Sequence, residues 1–281
     1  MNITAIVPYY GSKRTMAKQI IQQLGKHFAY WEPFCGSMAV LMQKPPSSHE
    51  TVNDLNGDLI NLARVIADED NGAALYGMLA KVLCDEKVRD ESVEWLRSAT
   101  PAISIQDPIV WAYHYFIVSW LGRNGFVGTT GSSKASFAIR WTPNGGHGAH
   151  RFANAVDSIP EWHLRLRKVA ILQRDAFDVL AKIDDNPKVA IYVDPPYLQK
   201  STKYIHDFAD TDHKRLADAL VRFKQARVVV SYYQDSCLAD LYPGWTVLDC
   251  SMNKAVCNAG KRGSSSSEAP EVLLLNGAVY E

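Results

Sequence analysis

Cysteine is scarce in this chain and follows no pattern. Five occur in 281 residues (Cys35, Cys84, Cys237, Cys250 and Cys257), with no Cys-x-x-Cys pair. That excludes a zinc ribbon, a thioredoxin-like centre and a disulfide-stapled secreted scaffold, and it suits a reducing compartment. No stretch approaches the ~20 apolar residues that a membrane span requires. The opening Met1–Pro8 has neither the basic start nor the apolar run of a secretory signal. The expected setting is therefore the cytoplasm, with no membrane partner. Charge of one sign is also missing, since 30 Lys+Arg balance 30 Asp+Glu. Internal repeats are absent, and the one low-complexity stretch, Ser264–Ser267 after Lys261-Arg262-Gly263, reads as a mobile loop.

Charge balance over the whole chain conceals a local surplus. Between Ser119 and Lys168 there are seven cations (Arg123, Lys134, Arg140, Arg151, Arg165, Arg167 and Lys168) against Asp157 and Glu161. Such a segment is either a solvated face or a phosphate-facing patch inside an otherwise neutral enzyme. The same region is rich in Gly, Ser, Thr and Asn with interleaved aromatics. It includes Gly146-His147-Gly148-Ala149-His150, where the histidine spacing is a weak metal signal and a nucleic-acid-contacting loop is the alternative.

Short apolar runs at Phe28–Phe34, Val169–Leu172, Val189–Val193 and Ala226–Ser231 read as buried parallel strands. Helices are indicated over Ser37–Gln43, Asp58–Ile66 and Asp212–Phe223, the last with Leu216, Leu220 and Phe223 on one face. This alternation predicts an α/β chain with a doubly wound sheet. Residues 71–121 read as helical with little strand signal. The expected organisation is a catalytic domain built from 1–62 and 168–281, with an inserted, mainly helical module at 63–167.

Three strand-end segments carry chemistry. Asp194-Pro195-Pro196-Tyr197 follows the strand Val189–Val193 directly. Two prolines stiffen the loop and remove two backbone donors. A carboxylate, a rigid carbonyl and an aromatic face then stand together, a set able to hold an exocyclic amine. Glu32–Ala39, with Phe34, Gly36 and Ser37, lies at another strand end and opens a helix. It is either a plain structural turn or a close-approach site for a ligand. Asp54, in Val52-Asn53-Asp54-Leu55-Asn56, lies about 20 residues beyond that turn, where an acid can bind ribose hydroxyls; capping of the next helix by Asp54 or Asn56 is the rival reading.

Together these motifs resemble the Dam-type, alpha-group N6-adenine DNA methyltransferases over most of the chain and in that group's motif order. The resemblance implies a Rossmann-like S-adenosylmethionine-dependent sheet and an inserted target-recognition domain. It also implies S-adenosyl-L-methionine as cofactor, double-stranded DNA as partner and no metal; one active site on one chain suggests a monomer. Pro8–Lys13 is similar to the amino-terminal motif, making Tyr9 and Lys13 cofactor contacts. Phe34, Gly36 and Asp54 match the cofactor loop and the ribose acid. Arg174–Phe177 looks like the motif whose acid and aromatic hold the cofactor's adenine, here Asp175 and Phe177; Asp175 is also a candidate helix cap. Asp194, Pro195, Pro196 and Tyr197 match the catalytic tetrapeptide, with Asp194 bordering the cofactor as well. Arg123-Asn124-Gly125-Phe126 and Phe137–Trp141 are similar to the target-recognition region, so Arg123, Asn124, Lys134, Arg140 and Arg151 are the candidate DNA contacts. Glu271–Leu275 resembles the last strand. One departure stands out: Met38 occupies the second glycine position of the family's Phe-x-Gly-x-Gly loop.

The mechanism so implied flips the target adenine out of the duplex. Tyr197 stacks on the base, while Asp194 and the Pro195 carbonyl accept the two N6 hydrogens. Alternatives are amine methylation of cytosine N4, RNA adenine or a protein glutamine, and a catalytically impaired DNA-binding relative.

Overall fold

A computed structural model of the chain describes residues 4–99, 107–122, 136–137, 147–198, 208–250 and 270–280. Arg123, Asn124, Lys134, Arg140 and the serine run Ser264–Ser267 lie outside these described residues. The strands are β1 (Ala29–Glu32), β2 (His49–Asn53), β3 (Ala170–Leu172), β4 (Val189–Val193), β5 (Arg227–Tyr233), β6 (Thr246–Asp249) and β7 (Glu271–Leu275). They form one seven-stranded sheet in the order β3-β2-β1-β4-β5-β7-β6. Pairings from β3 through β5 are parallel, and β7 runs antiparallel to both β5 and β6. This mostly parallel sheet is the Rossmann-like methyltransferase arrangement.

Helices cover both faces, as parallel strands demand. Those described are α1 (Ala17–Leu24), α2 (Ala39–Gln43), α3 (Gly57–Ala67), α4 (Glu69–Leu79), α5 (Glu86–Ser98), α6 (Pro108–Leu121), α7 (Gly148–Asp157), α8 (Ile159–Leu166), α9 (Ala176–Leu180), α10 (Asp210–Leu220) and α11 (Leu238–Leu241). The period-two alternation of the strands divides the core in two. Ala190, Tyr192, Val229 and Leu273 face one cluster with residues of α1, α2, α3 and α6–α8. Val189, Ile191, Val193, Val228 and Val230 face a second with α9, α10 and α11. All five residues of β4 are buried, which explains its unbroken apolar run.

The described residues of the expected inserted region are mainly helical, and an isolated bridge, Gly122 to Phe137, is the strand pairing described there. The 62–63 boundary falls inside α3, whose Leu62 and Ala63 are fully buried in the first cluster. The segment's helices thus share the sheet's core. The Phe116 ring on α6 meets Phe152 on α7 edge-on at 6.0 Å. Gly146–His150 is not a loop throughout: His147 caps α7, its Nδ1 accepting from the Ala149 amide at 3.2 Å.

One predicted surface cation is committed to the interior. Arg165, on α8, makes a two-pronged contact with the buried Glu50 of β2 and donates to the Leu41 carbonyl at 3.0 Å. Lys44 Nζ approaches the same carboxylate at 2.5 Å. Arg165 therefore drops out of the basic surplus. Two cations around one buried acid hold α8 and the end of α2 to the sheet. Glu50→Ala strands both cations and should destabilise the fold by about 3–5 kcal/mol, read as a lower urea midpoint.

Candidate active site

The candidate site lies where the strand order reverses, beyond the carboxyl ends of β1 and β4, the usual ligand position in open α/β sheets. A cavity of about 230 Å³ opens there. Tyr9, Phe34, Gly36, Asp54, Asp175, Phe177, Asp194, Pro195 and Pro196 line it, so nine of the sequence-derived candidates come together. Lys13 lines a smaller adjoining cavity that also contains Asp194. Tyr197 borders neither; it is buried, edge-on to Tyr233 at 4.5 Å and tilted against Tyr232 at 5.7 Å.

The loop after β1 needs special backbone geometry. Gly36 sits at φ 44°, which favours glycine. Its amide donates to Asp54 Oδ2 at 2.9 Å, while Asn56 N donates to Asp54 Oδ1 at 2.9 Å. The cap of α3 is Asn56, which accepts from the Asp58 and Leu59 amides. A carboxylate accepts about four hydrogen bonds, so two amides do not exhaust Asp54. Beneath it, Asn53 donates to the carbonyls of Pro33 and Arg174 and accepts from the Arg174 amide, joining three strand ends. Cys35 is buried, and burial pushes its thiol well up, consistent with a packing role under the loop.

Met38 explains why helix α2 starts later than the sequence suggests. It is left-handed (φ 59°, ψ 29°) at the N-cap, and α2 begins only at Ala39. Among the described residues it alone is a non-glycine with positive φ. Its fully buried side chain belongs to the first core cluster and lines neither cavity. The departure from Phe-x-Gly-x-Gly is therefore a packing substitution that leaves the cavity clear.

Aromatics crowd the cavity wall near Asp175. Phe208, which the sequence reading missed, stacks on Phe177 (6.0 Å, 16°) and meets Phe34 edge-on at 5.6 Å. Arg215 lies over the Phe177 ring at 3.7 Å. Asp212 and Arg215 line the cavity from the first turns of α10. Only the apolar face of that helix carried a sequence signal; the charged pair at i, i+3 was the available clue. Asp175 caps α9 through the Phe177 amide at 2.7 Å and also lines the cavity, so capping does not take it out of the ligand space.

Asp194 is clamped from two sides. Lys13 Nζ lies 3.0 Å from Oδ2, and Ser231 Oγ donates to Oδ1 at 2.7 Å. Lys13 is 5% exposed and also reaches the Gly11 carbonyl at 2.6 Å, Glu271 at 3.9 Å and the Tyr197 ring at 4.9 Å. Burial acts to lower its affinity for a proton, but the pull of Asp194 and its other negative neighbours outweighs this and raises it. Lys13 is thus a buried cation held against the half-buried Asp194.

Glu32 shares the smaller cavity. It is 2% exposed and accepts from Tyr30 at 2.8 Å. Burial pushes its carboxyl up to about 8, the Tyr30 bond opposes this, and the charge of Asp194 adds to it. Burial thus favours the protonated form of Glu32 beside the Lys13–Asp194 pair.

Arg151, the one described member of the DNA-contact set, lies half-buried on α7. Burial and its like charge depress Arg14, which brings α7 near the loop that carries Lys13. Among the described residues no cluster of three His, Cys, Asp or Glu could hold a metal, and no helix is long and apolar enough to cross a membrane.

With this geometry established, comparison with known proteins is decisive. The family model for D12 class N6 adenine-specific DNA methyltransferases matches residues 9–252. The chain belongs to that family. It is also 26% identical to the Retron Ec67 DNA adenine methylase of Escherichia coli, over 98% of this chain and 92% of the relative. The activity is adenine-specific DNA methylation, and DNA is the substrate.

Two outcomes test the site's energetics in this methyltransferase. The folded Glu32 binds its proton more tightly than the unfolded carboxyl at 4.5, so its contribution is complete below that pH and is lost as pH rises towards about 8. Between pH 5 and 8.5, wild type should lose on the order of 3 kcal/mol relative to Glu32→Gln in paired urea titrations. Met38→Gly relieves ~1–2 kcal/mol of left-handed strain but empties a buried site worth ~2–5 kcal/mol and adds chain entropy. Its melting midpoint should therefore fall, by the equivalent of about 2–4 kcal/mol.

Proposed function

We propose that this methyltransferase uses S-adenosyl-L-methionine to methylate the N6 amine of an adenine flipped out of duplex DNA, acting as a single chain. The observation that carries this reading is Asp194, at the carboxyl end of β4. It borders both cavities with its carboxylate fixed by Lys13 and Ser231.

The cavity's donor set suits the cofactor. The aromatic wall of Phe34, Phe177 and Phe208 offers apolar packing for a purine, Asp54 and Asp175 offer acceptors for ribose hydroxyls and an amine, and Gly36 admits a close backbone approach. Tyr9 borders that space, and Lys13 adds a cation behind Asp194. When bound, the cofactor supplies an electrophilic methyl group on a sulfonium.

The chain's own task is to make a poor nucleophile reactive. The N6 lone pair of adenine is delocalised into the ring. Asp194 and the Pro195 carbonyl accept the two N6 hydrogens, favouring a pyramidal nitrogen whose lone pair is available. Pro196 stiffens the loop so that both acceptors hold station. Tyr197 is the ring assigned to stack on the base; held by Tyr232 and Tyr233 and bordering neither cavity, it must turn toward the ligand space to do so. Rate enhancement then comes from positioning and fixed charge. Target recognition falls to the inserted segment, through Arg123, Asn124, Lys134 and Arg140 together with Arg151.

Labelled S-adenosylmethionine should transfer its methyl group to unmethylated duplex DNA, with N6-methyladenine as the labelled nucleoside. Label confined to RNA or to N4-methylcytosine would overturn the substrate reading. Asp194→Ala should keep the cofactor dissociation constant within about threefold while the transfer rate falls about 10²–10³-fold.

A further inference from the structure

Asp194 is only as well aimed as the groups that hold it; of the two on the strands beside it, Ser231 lines neither cavity and Tyr192 borders only the smaller one. Tyr192 on β4 and Ser231 on β5 are both buried, at 1% and 0% exposure. In the parallel pairing of β4 with β5, Val193 stands opposite Val230. Continuing that register by one residue sets Ser231 beside Asp194. Tyr192, two positions before Asp194, projects to the same face of the sheet.

Proton accounting fixes the polarity of the contacts. A serine hydroxyl has one proton to give. Ser231 Oγ gives it to Asp194 Oδ1 at 2.7 Å. The 3.0 Å contact between Tyr192 Oη and Ser231 Oγ must then be donated by the tyrosine. Burial holds the Tyr192 phenol firmly in its protonated form, so the donor is always present. Both protons point toward Asp194. The hydroxyl rotor of Ser231, otherwise free to turn toward a backbone carbonyl, is locked by the phenol behind it.

We infer that Tyr192 and Ser231 are positioning residues: Tyr192 fixes the rotor of Ser231, and Ser231 fixes the carboxylate plane of Asp194 so that it meets the amine of the target base. The inference rests on the reading of Asp194 as the amine acceptor. Lys13 alone cannot supply this aim. A flexible ammonium on Oδ2 acts as a point charge and leaves the carboxylate free to rotate about its own axis. A second, directional bond on Oδ1 removes that rotation.

The test is a mutant cycle with a rescue. Ser231→Ala should lower kcat about 10- to 100-fold and Tyr192→Phe about 3- to 10-fold, with KM for DNA and the cofactor dissociation constant within threefold of wild type. Because Tyr192 acts through Ser231, the double variant should be no slower than Ser231→Ala alone. Ser231→Thr, which keeps the hydroxyl, should recover most of the rate. Multiplicative losses in the double variant, an unchanged kcat in Ser231→Ala, or losses carried in KM would each overturn the inference. If wild type fails to methylate adenine, the functional reading falls, and crystal structures of the variants judge the positioning role alone. A turned Asp194 carboxylate in Ser231→Ala and Tyr192→Phe supports it; a carboxylate unchanged in both overturns it.

Discussion

The ion pair between a buried Lys13 and a half-buried Asp194 is the constraint on which the site is built. It joins the loop before α1 to the end of β4, and through Glu271 it reaches the start of β7. Neither partner can be removed without leaving the other charged in a desolvated place. The chain keeps this arrangement because Asp194 needs a counter-charge behind it while its face toward the cavity stays available. A protonated Glu32 in the same small cavity spares the pair a second negative charge. The charge states of Lys13 and Glu32 follow from burial set against the charge of each group's neighbours.

Acids around the cavity serve the backbone and the ligand space at once. Asp175 caps a helix and lines the cavity, and Asp54 steadies the Gly36 loop from the cavity wall. Reading such residues as either structural or functional poses a false choice. A carboxylate that orders its own loop arrives already oriented, with its conformational entropy spent during folding.

Much of this was legible in the sequence because strand ends are marked by chemistry. The fully buried β4 announced itself as an apolar run, and Asp194-Pro195-Pro196-Tyr197 followed it with no intervening residue. The resemblance to adenine methyltransferases set these residues in one order, and the family match bears out the family itself. Other features depended on tertiary packing and left no local trace. Arg165 looked like surface charge, yet Glu50, distant in sequence, draws it inward. Phe208 and Arg215 belong to the cavity only because α10 lays its first turn across Phe177. Met38 read as a missing glycine near a ligand, whereas its side chain turns into the core. Of the target-recognition candidates, only Arg151 lies on a described element.

The Phe116–Phe152 contact has a meaning for how this chain can diversify. Leu121 and Gly148 bracket the stretch that carries the recognition candidates, and both flanking helices are rooted in the core that backs the sheet. The separation of the two anchor points is set by that shared packing, independent of what is strung between them. Loop closure costs grow only slowly with length, so sequences of different size and composition can be exchanged there at little thermodynamic cost. Under the proposed assignment of target recognition to this stretch, the chemistry at the strand ends can stay fixed while the words read on DNA are rewritten.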